Sequence, residues 1–262
     1  MEITLKHLQL SYRRRKRQLF IMKLIAVLSA VILIAVGLVI MFITGKPADE
    51  TYNVVEAMNS NFITEADNMQ NTEGRIRVCI DAGHGGSDCG AEYQGRYEKD
   101  QVLAIAKLVQ RHLQSSGIEV VMTRSTDVFM GLDERTEICN NASCDLLVSI
   151  HRNYYEGDTS VRGFEAWIHS SKPQDAYELA DYIMKELSGI EGAKNRGIKT
   201  GSMTDSDEDY RVNRDSKCTS CLLELGFMSN SIDTELVTVN KEKVAKAIAN
   251  GIRSYLNTVT VK

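Results

Sequence analysis

RVCIDAGHGG, residues 77–86, reads as a β-strand that breaks into a glycine loop carrying a histidine. Working outward, Glu98 to Ser116 is predicted helical: Val102, Ile105, Ala106, Val109 and Leu113 recur at helical spacing, and Gly117 supplies the stop. IEVVMT (118–123) is a second strand, and Leu132 to Asn141 a short helix. DLLVSIH (145–151) is apolar along most of its length, as a strand covered on both faces would be. GFEAWIHS (163–170) and SCLLELGF (220–227) are further strands. Helices are predicted from Gln174 to Leu187, with Ala176, Leu179, Ile183 and Leu187 inward, and from Glu242 to Leu256, with Val244, Ile248, Ile252 and Tyr255 on one face. The alternation implies an α/β layered domain with a mostly parallel sheet.

The composition permits such a domain. Of 262 residues, 43% are hydrophobic and 25% charged, enough apolar surface to offset chain entropy, so disorder is excluded as the main state. A net charge of −4 argues against a general nucleic-acid binder. That average hides a basic run from Arg13 to Arg17, inside a segment (1–22) expected to be cytoplasmic. LIAVLSAVILIAVGLVIMFIT, from Leu24 to Thr44, then carries no charge. As a helix it would match a hydrocarbon core of roughly 30 Å. It is longer than the apolar part of a signal peptide and ends in MFITGKPADE, a poor cleavage site. Residues 23–44 are therefore expected to be an uncleaved signal-anchor in the cell membrane. The positive-inside rule puts the basic run in the cytoplasm and all that follows outside. Residues 45–74 read as a polar linker, and residues 75–258 as the functional domain.

His84, His151 and Glu224 stand at or beyond the ends of predicted strands, and Glu98 opens the first helix. In open α/β sheets the functional crevice forms at the carboxyl ends of the strands, where these groups could converge. Two imidazoles and a carboxylate are a recurrent catalytic zinc set, and a further carboxylate off the metal can act as general base. Each residue also has a plainer reading. A histidine at a strand end is commonly a hydrogen-bonded structural group, and Glu98 could be a first-turn acid favoured by the helix dipole.

Four blocks, VCIDAGHGGSDCGAEYQGRYEKD, LDERTEICNNASCDLLVSIHRN, KNRGIK and CLLELGFMSN, occur in order between about Arg75 and Asn257. Together they resemble the zinc-dependent N-acetylmuramoyl-L-alanine amidases of the amidase-3 family. The resemblance implies a twisted six-stranded sheet flanked by helices. It also implies cleavage of the amide joining N-acetylmuramic acid to the L-alanine of the peptidoglycan stem peptide. It places His84, Glu98 and His151 on the family's zinc ligands and Glu224 on its catalytic glutamate. The expected partners are peptidoglycan and, through residues 23–44, the membrane. Two other readings are a silent wall-binding or regulatory domain and a related zinc peptidase or deacetylase. Arg152 departs from the family's small residue after the second histidine, and could contact substrate carboxylates or point into solvent. The six cysteines, Cys79, Cys89, Cys139, Cys144, Cys218 and Cys221, could form disulfides or remain as buried thiols.

Overall fold

Strand β1 (Arg77–Ala82) is buried from Val78 onward, and β5 (Leu146–Asn153), which pairs with it, and β8 (Thr219–Phe227), which pairs with β5, are buried almost throughout. Residues with both faces covered belong in the interior of a parallel sheet, and these three strands form its centre. The computed structural model describes residues 75–203 and 208–260. The expected cytoplasmic segment, anchor and linker (1–74) lie outside the described residues. Among the described residues no helix is long and apolar enough to cross a membrane.

With β4 (Glu119–Met122), β6 (Phe164–Ile168) and β7 (Asn195–Thr200), the six strands run in the order β4-β1-β5-β8-β6-β7. Pairing is parallel except between β6 and β8, so the mostly parallel sheet expected from the sequence is present. The strand missed by periodicity is β7. It reads NRGIKT, is largely half-buried, and lies at the sheet edge, where an apolar pattern is not required.

Helices α1 (Glu98–Gln114), α3 (Gln174–Ser188) and α6 (Lys241–Thr260) cover one face. Their stripes, including Ile105, Val109, Ile183, Ile248 and Ile252, pack on Val78, Ile80 and Ala82 of β1 in one large core. The opposite face is thinner. Short helices α2 (Leu132–Asn141) and α4 (Arg211–Arg214) place Cys139 and Val212 against Cys79, Leu147, Trp167 and Leu222. A further helix, α5 (Ser231–Thr238), begins on an Asn230 side chain that accepts from the Ile232 and Asp233 amides.

On this thinner face lies a buried polar knot. The Asp81 carboxylate accepts from Ser149 Oγ (2.6 Å), Thr123 Oγ1 (2.6 Å) and Arg135 Nη1 (2.8 Å), tying β1 to β5, to the loop after β4, and to α2. Burial opposes its charge, but Arg135 and the two hydroxyls outweigh that and hold its pKa below the ordinary 3.8. Asp81→Ala should cost on the order of 3–5 kcal/mol, because it leaves the Arg135 guanidinium buried without its carboxylate. Urea unfolding followed by the single tryptophan, Trp167, measures this; a loss under about 1 kcal/mol would contradict it. A depressed carboxylate contributes fully above its unfolded pKa, and the contribution is lost as pH falls through the lower folded value. The wild-type chain should therefore lose this part of its stability only in acid below pH 3.8, and the variant should lack that step.

Candidate active site

The β1 strand keeps pairing to its end, with the Gly83 amide donating to the Ile150 carbonyl, and then turns abruptly. His84 sits at φ 57°, a left-handed conformation uncommon for a residue with a Cβ. Its turn is gripped from behind by two guanidiniums. Arg135 donates to the carbonyls of Ala82 (2.7 Å) and His84 (2.8 Å), and Arg124 to those of Ala82 (2.9 Å) and Gly83 (2.8 Å). The His84 Nδ1 faces Asp88 Oδ2 at 2.8 Å, which fixes the ring and turns Nε2 toward Glu98 Oε2 at 3.1 Å.

Glu98 is delivered by a small hairpin, β2 (Glu92–Tyr93) and β3 (Arg96–Tyr97). Its two-residue turn, Gln94-Gly95, has positive φ at both positions, the geometry that matches the twist of the paired strands. The carboxylate is almost fully buried. It accepts from the amides of Ala91 (3.0 Å) and Arg152 (2.9 Å) and lies 3.0 Å from His151 Nδ1. Burial disfavours its charge, but His151 and His84 overcome that and hold it well below the usual carboxylate range. For His84, burial works against the charged form, yet Glu98 and Asp88 raise its pKa above the ordinary 6.5.

Donor atoms of His84, Glu98 and His151 all lie within 4.8 Å of one another. The imidazoles meet edge to face, with ring centroids 4.9 Å apart. Glycine makes room for this convergence. A Cβ on Gly83 would come 2.3 Å from the His151 ring, and one on Gly90 would come 2.6 Å from His84 and 2.7 Å from Glu98. Two neutral-capable imidazoles and a carboxylate held ionised form a donor set that suits a zinc-class cation, so these residues fit the implied metal.

Glu224 of β8 is in direct register with His151 of β5. It is buried, and its Oε2 has no hydrogen-bond partner. Burial, then the charges of Glu98 and Glu165, push its pKa well above the ordinary carboxylate value, against the opposing pull of Arg152 and Lys199. Across the sheet, Glu165 of β6 is in register with Glu224, and its carboxylate is held by Arg196 and by Lys199 (2.9 Å).

The N-acetylmuramoyl-L-alanine amidase family, Amidase_3, matches residues 78–254. The chain is 38% identical to the uncharacterized protein YqiI of Bacillus subtilis over 68% of its own length and 84% of that protein's. It is 35% identical to the N-acetylmuramoyl-L-alanine amidase LytC of the same organism, over 68% of this chain and 35% of LytC. Among solved structures, the amidase AmiC2 of Nostoc punctiforme superposes with a TM-score of 0.63 at 34% identity, over 70% of this chain and 98% of that one. The chain belongs to the Amidase_3 family. Membership makes it an N-acetylmuramoyl-L-alanine amidase, a hydrolase of cell-wall peptidoglycan.

In this amidase the four residues singled out from the sequence lie at one end of the sheet. Arg152, expected to meet substrate or solvent, does neither. It is 2% exposed, and it donates to the carbonyls of Leu225 and Phe227 (both 3.1 Å) and to Gln101, clamping β5 to β8 and α1. Burial lowers its pKa to about 10. Glu165 and Arg196 were not among the sequence candidates. The available signal was a lone carboxylate inside the otherwise apolar strand FEAWI. His169 pairs with Asp209 at 3.2 Å.

The clearance at Gly83 yields a direct test. Gly83→Ala should displace the His151 imidazole and lower amidase turnover by about 10²-fold, the scale of a 1 Å misplacement at a reacting centre. Muropeptide release measured beside the melting temperature checks it; unaltered turnover would show that the His151 position does not matter to the reaction.

Proposed function

We propose that His84, Glu98 and His151 hold one catalytic zinc ion and that Glu224 is the general base and acid. The reaction is hydrolysis of the amide joining the lactyl group of N-acetylmuramic acid to L-alanine. The observation that carries this reading is the meeting of three donor atoms within 4.8 Å beside the partnerless Oε2 of a buried glutamate. Zinc bound there supplies a Lewis acid that brings the pKa of water to roughly 7 and polarises the scissile carbonyl.

The chain's own residues do the rest. Asp88 fixes the His84 ring, and the Ala91 and Arg152 amides fix the Glu98 carboxylate, so neither has to reorganise on binding. Glu224 Oε2 takes a proton from the attacking water and hands it to the alanine nitrogen as the C–N bond breaks. Glu165 is paired with Arg196 and Lys199, and burial together with the charges of Glu98 and Glu165 favours the protonated form of Glu224 between the two transfers. The buried walls around Glu224 exclude bulk water, which would otherwise compete for that proton.

Glu224→Gln should keep zinc and melting temperature but lose roughly 10²–10⁴-fold in turnover, since an amide accepts no proton. His84→Ala or His151→Ala should lose metal and activity together. Zinc stoichiometry, melting temperature and mass spectrometry of released muropeptides on the same preparations separate these outcomes. Wild-type turnover in zinc-loaded Glu224→Gln would remove Glu224 from the mechanism, and full zinc content in His84→Ala would remove His84 from the metal centre.

This reading extends to location. Residues 23–44 anchor the chain in the cell membrane, the basic run before them stays in the cytoplasm, and the catalytic domain reaches the wall from outside. Support comes from the uncharged run Leu24 to Thr44 and the arginines ahead of it. Protease added to wall-stripped intact cells should remove the catalytic domain and leave a short protected fragment. A mature domain lacking residues 1–45 in the medium would refute the anchor.

A further inference from the structure

At the other end of the sheet from His84 and Glu224 four cysteines come together. Cys79 lies on β1, Cys139 in the last turn of α2, Cys144 in the turn leading into β5, and Cys218 immediately before β8. The sulfurs of Cys79, Cys139 and Cys144 all lie within 4.8 Å of one another, and Cys218 Sγ is 3.5 Å from Cys139 Sγ. The first three are buried, and Cys218 is half-buried at their edge. Three of the seven buried residues in the thin core on this face are these cysteines.

We propose that Cys79, Cys139, Cys144 and Cys218 bind one thiophilic divalent cation of the zinc class, as a structural site separate from the catalytic centre. All four thiols are unbridged, and 3.5 Å is far from a disulfide bond of about 2.0 Å. It is close to the edge of a tetrahedral thiolate shell, roughly 3.8 Å for a Zn–S length of about 2.3 Å. A free cysteine packs as a small hydrophobe, so burial alone does not single these residues out; the convergence of sulfurs from four separate segments does. On binding, each thiol releases its proton to solvent and its sulfur donates a lone pair, so no oxidant is needed. The Arg77 guanidinium, paired with Glu119 through Nε (2.7 Å) and Nη2 (2.9 Å), lies beside the site and donates to the carbonyl of Ala142, two residues before Cys144.

The site would staple the C-terminal end of α2 to the sheet on the face with the smaller core. The same helix carries Arg135, whose guanidinium holds the His84 turn. A cation here would therefore stiffen the scaffold behind the catalytic end without touching substrate.

The full chain loaded with Co(II) tests this through sulfur-to-metal charge-transfer absorbance in the near ultraviolet. The His84, Glu98 and His151 centre contains no sulfur and cannot produce that band. The band should be present in the wild type and in His84→Ala, and lost in Cys139→Ser. Zinc content should be two per chain in the wild type and one in each variant, a count that rests on the catalytic zinc proposed above. Should Cys139→Ser fail to fold, the wild-type band and its weakening in the half-buried Cys218→Ser decide. No band in the wild type would overturn the site. So would fewer than six cysteines alkylated under denaturing, non-reducing conditions, because that result means disulfides. One zinc retained in Cys139→Ser and lost in His84→Ala overturns this site and leaves the catalytic assignment standing. The reverse pattern does the opposite.

Discussion

The catalytic end depends on how the chain leaves β1. A strand that ends beneath a binding crevice has carbonyls with no further strand to receive them, and unpaired buried carbonyls are costly. Here Arg124 and Arg135 supply charged donors to the carbonyls of residues 82–84. Asp81 in turn neutralises Arg135. This holds His84 in its left-handed conformation, which the chain would not keep unaided. The positions of Glu98 and His151 follow, because both pack against the His84 turn through glycines that admit no Cβ. Each of these guanidiniums bridges backbone that is distant in sequence, and a lysine offers no planar fork to do the same.

What the sequence made legible tracks what burial demands. β1, β5 and β8 are readable because strands covered on both faces must be apolar, and α1, α3 and α6 because each shows one stripe to one core. β7 is illegible for the converse reason: an edge strand of half-buried polar residues satisfies no strong pattern. The β2–β3 hairpin is too short for periodicity, and only its turn residues betray it. The candidate metal ligands stood out because strand ends are where this fold class puts chemistry. Arg152 was misjudged because nothing in a linear sequence tells whether a cation beside a site faces outward or clamps three elements from within. Single-residue polar contacts carry no period.

The two faces of the sheet solve burial differently. One has three long helices and a continuous aliphatic core. The other has short α2 and four-residue α4, and its buried cluster includes Cys79, Cys139 and Cys144. Thin cores stabilise poorly by area alone, so polar or covalent fastening gains importance there. The Asp81–Arg135 knot and the cysteine group lie on this side. The face that packs least well apolarly is the one that carries the guanidinium behind the site, which makes its fastening consequential for function.

Three buried carboxylates share the catalytic end, and their surroundings divide them. Glu98 is flanked by two imidazoles and two amides, which hold it as an anion fit to face a cation. Glu165 is engaged by two cations, Arg196 and Lys199. Glu224 is buried with no cation among the described residues paired to its carboxylate and feels the repulsion of the other two, so its pKa is pushed well above the ordinary carboxylate value. Groups whose environments push their pKa values apart take different parts in acid–base chemistry. The division rests on neighbours drawn from separate segments, so exchanging the residues themselves would not exchange the roles. A glutamate placed at position 98 becomes an anion because of where β5 and the His84 turn lie, and one at position 224 favours its protonated form because it is buried, with Glu98 and Glu165 repelling its charge.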